Sequence, residues 1–293
     1  APGPTAGSHQ RAAPRPAAVR PVRAPASGHR PGGGGWRYGL TAAAFLVPSA
    51  VIILTVTIVP MIGSTWVSFH KWNLISDMKW TGLSNYAHVL TDVRTWTSFG
   101  YTLYYVAGYL PLVYFGGLGL ALALNVALRG RSIFRLVYFL PVVTSWVVAA
   151  ILWQWLLQPS SGIVNHVLGL VGIEGPGWYT DPNWIMPSVI LASAWKDVGF
   201  IMIIMLAGLQ SIPIELKEAA AIDGTNSWQR FWRIIFPLLT PTTFFVVVTS
   251  LIGGLQVFDQ VYIMTTDSRG GDNSAQVVVG QIYDLTCRYE RIG

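Results

Sequence analysis

The chain has 293 residues, of which 52% are apolar and only 11% charged, against about 25% charged in an average soluble domain. That balance excludes a water-soluble globular protein and predicts an all-α chain that crosses a membrane several times. A net charge of +6 does not mark a nucleic-acid binder, because the basic residues are spread loop by loop instead of gathering with stacking aromatics in one patch.

Residues 1–37 are mostly Ala, Pro, Gly and Arg, a composition that cannot bury enough surface to offset ordering entropy. They predict a disordered basic tail without the apolar core of a signal peptide. Its arginines, from Arg11 to Arg37, have no acidic counterweight, which assigns the tail and the N-terminus to the cytoplasmic side. The remainder, 38–293, is a transmembrane domain and opens with a first span over 38–62, near the roughly 20 residues that hydrocarbon requires. Trp36 and Tyr38 stand where an interfacial aromatic belt is expected, and Trp66, Trp72 and Trp80 in the outer loop 64–98 are read first as belt residues too. The second span, 101–127, carries Gly116, Gly117, Gly119, Ala121 and Ala123, small residues that let helices pack closely in lipid. Arg129, Arg131 and Arg135 return the chain to the inside.

The third span, 134–157, contains Pro141 and leads to an outer loop without Lys or Arg. In that loop Ile163, Val167, Leu168 and Val171 recur at helical spacing, predicting a short interfacial helix. The fourth span covers 184–209, an inside segment 211–240, and the fifth 239–264. Beyond Met264 the chain turns polar and no further span is predicted, so five spans are visible. Basic residues agree with the alternation: Arg129, Arg131, Arg135, Lys217, Arg230 and Arg233 fall inside, and Lys71, Lys79, Arg94 and Arg269 outside.

The inside segment has a definite local shape. Ser211 is available as an N-cap, Pro213 sits in a first turn where its missing N–H costs little, and Glu215 and Glu218 lie near the positive end of the helix dipole. Gly224 stops this helix in the left-handed conformation. Thr225, Asn226 or Ser227 caps a second helix carrying Trp228, Phe231, Trp232 and Ile235 against the membrane domain, until Pro237 ends it. Ala219 and Ala220 offer a small face to another backbone.

Glu218-Ala219-Ala220, followed by Gly224, Ile234 and Pro237, resembles the EAA loop of binding-protein-dependent ABC importer permeases, and IDGTNSWQRFWRIIFPLLTP looks like their sugar-importing branch, with its maltose-type and glycerol-3-phosphate-type members. The resemblance, which covers about residues 38–290, implies a six-helix permease core, the last helix of which would begin close to where this sequence stops. A truncated product, an incomplete preparation or a five-span variant all fit. It also implies that Glu218, Ala219, Ala220, Asp223, Gly224 and Pro237 belong to a coupling helix docking on a cytoplasmic ATPase. The implied partners are a homologous second permease, two such ATPases and an extracytoplasmic solute-binding protein. No G-x-x-x-x-G-K-[ST] occurs in the chain, so ATP and its Mg²⁺ are assigned to the ATPase and no cofactor to this chain. Cys287 is the one cysteine, and His9, His29, His70, His88 and His166 lack ligand spacing, so no metal site is predicted. No nucleophile, base or metal constellation supports an enzyme.

Charges inside a span are costly and commonly functional. Lys196 and Asp197 fall mid-way along the fourth span and Asp259 in the outer half of the fifth. They fit two readings: a structural ion pair, Lys196 with Asp197 or Asp259, or a polar wall of a translocation path in which Trp195, Gln256 and Tyr262 offer a sugar its stacking faces and hydrogen bonds. A rival to the importer is a self-sufficient secondary transporter or channel using Lys196, Asp197 and Asp259 as an ion or proton relay, although no internal repeat pair is evident.

Overall fold

The computed structural model describes residues 3, 35–72, 77–126, 130–265 and 275–288. The predicted disordered tail falls almost wholly outside the described residues, as do Arg129 and Arg269. Two units, 1–63 and 64–293, are each internally compact.

The described part of the first unit is chiefly α1, which runs Gly35–Ile53, through a π turn Leu54–Ile58, into Val59–Val67. Within the π turn the Val59 N–H reaches back to the Leu54 carbonyl. This wider turn lies immediately ahead of Pro60, which has no N–H to continue the ordinary ladder, and the helix passes Pro60, as it passes Pro48, without stopping.

In the second unit a two-residue hairpin, β1 (His70–Lys71) against β2 (Lys79–Trp80), precedes α2 (Ser84–Thr91). The helix α3 (Val93–Leu124) begins well before the predicted 101, because Asp92 caps it by accepting the Arg94 N–H at 3.1 Å. The predicted small stripe is a packing face at Gly116 and Gly117. A Cβ on Gly117 would lie 2.6 Å from Ile201 and one on Gly116 3.1 Å from Val198, whereas Gly119 faces open space. Both neighbours belong to α7 (Pro182–Ser211), capped by Asp181 with Pro182 in the first turn. Gly108 meets Ile190 and Gly117 meets Ile201, so α3 and α7 run parallel.

The third predicted span is two helices, α4 (Arg131–Val143) and α5 (Trp146–Leu156), bent by 102°. The break follows from who holds the carbonyls. In an unbroken helix the Pro141 and Val142 carbonyls would accept from Ser145 and Trp146. Instead Pro141 accepts the Thr144 N–H at 3.2 Å and the Thr144 hydroxyl at 2.6 Å, and Val142 accepts Lys196 Nζ at 3.2 Å. Thr144 and Ser145 are extended. Opened backbone at this depth needs such replacement partners. The predicted loop helix is present as α6 (Ile163–Leu170).

Helix α8 (Ile214–Ile222) starts at Pro213 rather than at Ser211, which ends α7 with its hydroxyl on the Gly208 carbonyl. A second helix, α9, starts at Ser227 and does not stop at Pro237. It continues through a π turn Phe231–Ile235 into Phe236–Leu255, with the Phe236 N–H bonded to the Phe231 carbonyl. The device seen ahead of Pro60 recurs, and the proline that sequence reasoning took for a terminator rides inside the helix. The far boundary differs as well: α9 ends at Leu255, and 259–265 form a separate short helix, α10 (Asp259–Thr265), followed by α11 (Val278–Tyr283).

Tyr114 meets Thr243 and Gly254 meets Val106, so α9 is antiparallel to α3. Among the described residues four helices are long and apolar enough to cross a membrane, and five when the bent pair counts as one span. The core between α3, α7 and α9 buries Tyr105, Val113, Val189, Met202, Leu239 and Val246.

Candidate functional site

Two places in the second unit gather the residues singled out by sequence. The first is the turn between α8 and α9. Gly224 has φ +76°, its N–H bonds the Ala221 carbonyl at 3.2 Å and the Thr225 N–H bonds the Ala220 carbonyl at 3.1 Å. This pair of bonds is the Schellman closure that a glycine in the left-handed region permits. Of the three proposed caps for the next helix, Asn226 is used: its side chain accepts the Gln229 N–H at 2.8 Å and the Gln229 side chain accepts the Asn226 N–H at 3.2 Å.

Glu218, Ala219 and Asp223 are exposed there, but Ala220 is 4% exposed and faces inward. The small pair is therefore split between the two sides of α8. Sequence reasoning overlooked Ile222, whose side chain is 86% exposed beside this acidic edge. Its signal was available: an isoleucine directly before the Asp-Gly stop of a helix whose buried face is alanine. The second helix is pinned to the bundle by Phe231 and Ile235, while Trp228 and Trp232 are exposed and stack edge-on at 5.6 Å.

The second place is a cavity of ≈ 420 Å³ mid-way along the bundle, level with the break between α4 and α5. Asp197, Gln256 and Asp259 line it, together with Tyr105, Tyr109, Trp146, Phe258 and Gln260. The other path residues do not reach it. Trp195 packs edge-on against Trp153 at 5.8 Å, Tyr262 lies tilted against Phe258 and edge-on to Tyr283, each at 5.2 Å, and Lys196 is buried behind the wall.

Neighbours in a helix point about 100° apart, and Lys196 and Asp197 accordingly serve different helices. Asp197 Oδ2 accepts the Tyr109 hydroxyl of α3 at 2.8 Å. Lys196 donates to Val142 of α4 and lies 4.7 Å over the Trp146 ring. These contacts, not an ion pair with Asp197 or Asp259, hold the two charges. Tyr105 and Tyr109, stacked at 5.3 Å, were missed by sequence reasoning. Their one-turn spacing within an apolar span was the available cue; that they face Asp197 was not legible locally. Gln260 also reaches Tyr105, at 3.3 Å.

The cavity therefore offers aromatic faces beside carboxylate, amide and phenol groups, a lining suited to a polar, uncharged solute. Residues 116–288 match the family described as the binding-protein-dependent transport system inner membrane component. The chain belongs to this family. The permease is 32% identical over 242 residues to the trehalose/maltose transport system permease protein MalF of Thermococcus litoralis, covering 82% of each chain. It is 34% identical over 255 residues to the lactose transport system permease protein LacF of Rhizobium radiobacter, covering 86% of this chain and 85% of that one. A crystal structure of a bacterial alginate ABC transporter in complex with an alginate pentasaccharide-bound periplasmic protein superposes with a TM-score of 0.75 and 26% identity, over 89% of this permease and 88% of that chain. The protein is thus a multi-pass transmembrane subunit of the ABC permease type, and its relatives MalF and LacF are trehalose/maltose and lactose transport permeases.

Proposed function

We propose that this permease moves a sugar, oligosaccharide or related polyol into the cytoplasm as one half of a transmembrane pair. Two separate ATPases would bind and hydrolyse ATP, and an extracytoplasmic binding protein would deliver the solute. The observation that carries the reading is the mid-bundle cavity, in which Tyr105, Tyr109, Trp146 and Phe258 supply rings beside Asp197, Gln256 and Asp259. Carbohydrate sites need such stacking faces next to hydrogen-bonding groups. The exposed edge of Glu218, Ala219, Ile222 and Asp223 at the far end of α7 and α9 would take the ATPase, on the cytoplasmic side. ATPase closure would pull on that edge and tilt the two helices as rigid bodies, opening the cavity alternately to either face.

An ion relay through Lys196, Asp197 and Asp259 has less support, since Lys196 and Asp197 are each committed to a different neighbouring helix. The deciding experiment purifies the permease with its associated subunits, reconstitutes them with the binding protein in liposomes, and follows radiolabelled maltose, lactose and trehalose. ATP-dependent accumulation of at least one of them is expected. Accumulation driven by an ion gradient with the permease chain alone would overturn the importer reading.

A further inference from the structure

The geometry points to Lys196 as the residue that positions Trp146, and through it the wall of the central cavity, without itself touching what passes; this rests on the cavity being the transport path. Lys196 is 5% exposed and absent from the cavity lining, yet Trp146, which does line it, lies under the ammonium at 4.7 Å. The same ammonium donates to the Val142 carbonyl at 3.2 Å, four residues before that tryptophan. A single charge thus holds the last turn of α4 and the first residue of α5, the two sides of a 102° break.

Each contact has a physical reason. A buried ammonium needs acceptors, and a carbonyl freed at a helix C-terminus, carrying the negative end of the dipole, is a favourable one. The face of an indole is another. Trp146 has no preceding helical turn to fix its backbone, because Thr144 and Ser145 are extended. Its ring is set by what lies over it, and Lys196 does so from the middle of a continuous 30-residue helix. Gly199, one turn further along α7, keeps the two elements in register, since a Cβ there would run into the Tyr138 carbonyl of α4. Removing the ammonium would free the Val142 carbonyl and release the ring from the wall.

The test needs no knowledge of the solute. In a Cys287→Ser background, Gln256→Cys puts a thiol on the cavity wall, and its rate of modification by 2-aminoethyl methanethiosulfonate in the purified protein reports how open the cavity is. Lys196→Met is expected to raise that rate about tenfold, Trp146→Leu to raise it by a similar factor, and the double variant to exceed either single one by no more than about twofold, since residues acting as a unit are not additive. Lys196→Arg, which keeps a donor and a planar cation over the ring, should return the rate to within about twofold of the starting protein. An unchanged rate in Lys196→Met beside a raised one in Trp146→Leu, multiplying effects in the double variant, or no recovery with Lys196→Arg would each overturn the proposal. Failure of Lys196→Met to accumulate in membranes while Trp146→Leu accumulates would overturn it too, by making the lysine a folding element. Whether the cavity is the path is read separately: modification of Gln256→Cys in the reconstituted transporter should block uptake, and unimpaired uptake would remove the transport significance while leaving the labelling comparison to judge Lys196.

Discussion

Gly199 is a position where one hydrogen in place of a methyl decides whether two helices can meet. Its Cα faces the backbone of α4 so closely that a Cβ would overlap the Tyr138 carbonyl, and a backbone atom cannot rotate away as a side chain can. Gly119, on the same apolar background in α3, faces nothing within 4 Å. Gly199→Ala is therefore expected to cost about 1–3 kcal/mol, the range for overpacking a tight contact. Gly119→Ala should be neutral or slightly stabilising, since alanine is the better helix former by about 1 kcal/mol. Thermal unfolding of the purified protein in detergent checks both, and equal melting temperatures for the two variants would contradict the close approach. Single residues also show where sequence reasoning reaches its limit. Lys196 and Asp197 stood out because charge inside a span is expensive. That they serve different helices required knowing that α4 and α3 flank α7, which no local pattern supplies.

At the scale of elements, the prolines divide the legible from the illegible. Pro182 begins α7, as the preference of proline for a first turn requires. Pro60 and Pro237 lie inside continuous helices, each just after a π turn, and Pro48, Pro111 and Pro241 lie inside ordinary α-helix. Nothing in a short window distinguishes these outcomes, for the widened turn competes with a break on the strength of tertiary packing, which for α9 includes Phe231 and Ile235 against the core. The glycine turn and the capped start of α9 were legible, being fixed by residues within five positions of one another. The break after Val143 was not, since half of it is made by a lysine from a distant helix. Asn226→Ala removes one side of the capping box and should cost about 0.5–2 kcal/mol. The expected signature is faster amide exchange over 226–230 with no change over Ile214–Ile222, whose hydrogen bonds close independently at Gly224. Equal exchange over 226–230 in variant and parent would show that packing, not the cap, holds the start of α9.

The whole molecule joins an exposed edge at one end to a cavity half-way along by two helices packed against each other. Lys217 of α8 donates to the Leu209 carbonyl at the end of α7 at 3.2 Å, and Gly208 of α7 meets Leu239 and Thr242 of α9, so a force applied to the segment between α7 and α9 enters both helices. If the turn is where an ATPase pulls, its backbone geometry matters for coupling more than for folding. Gly224 and Gly172 allow this to be separated. Both have φ +76°, and in both a valine would carry the left-handed penalty of about 1–2 kcal/mol; Gly172 follows α6, in the connection between α5 and α7. In the reconstituted transporter Gly172→Val is expected to keep the ratio of solute accumulated to ATP hydrolysed. Gly224→Val is expected to lower that ratio several-fold while the permease still accumulates and binds its ATPase, because the altered chain direction after α8 transmits less of the stroke to α9. Equal ratios in the two variants would mean that the turn only closes a helix. A low ratio in Gly224→Val alone would locate the transmission of force at a single left-handed residue.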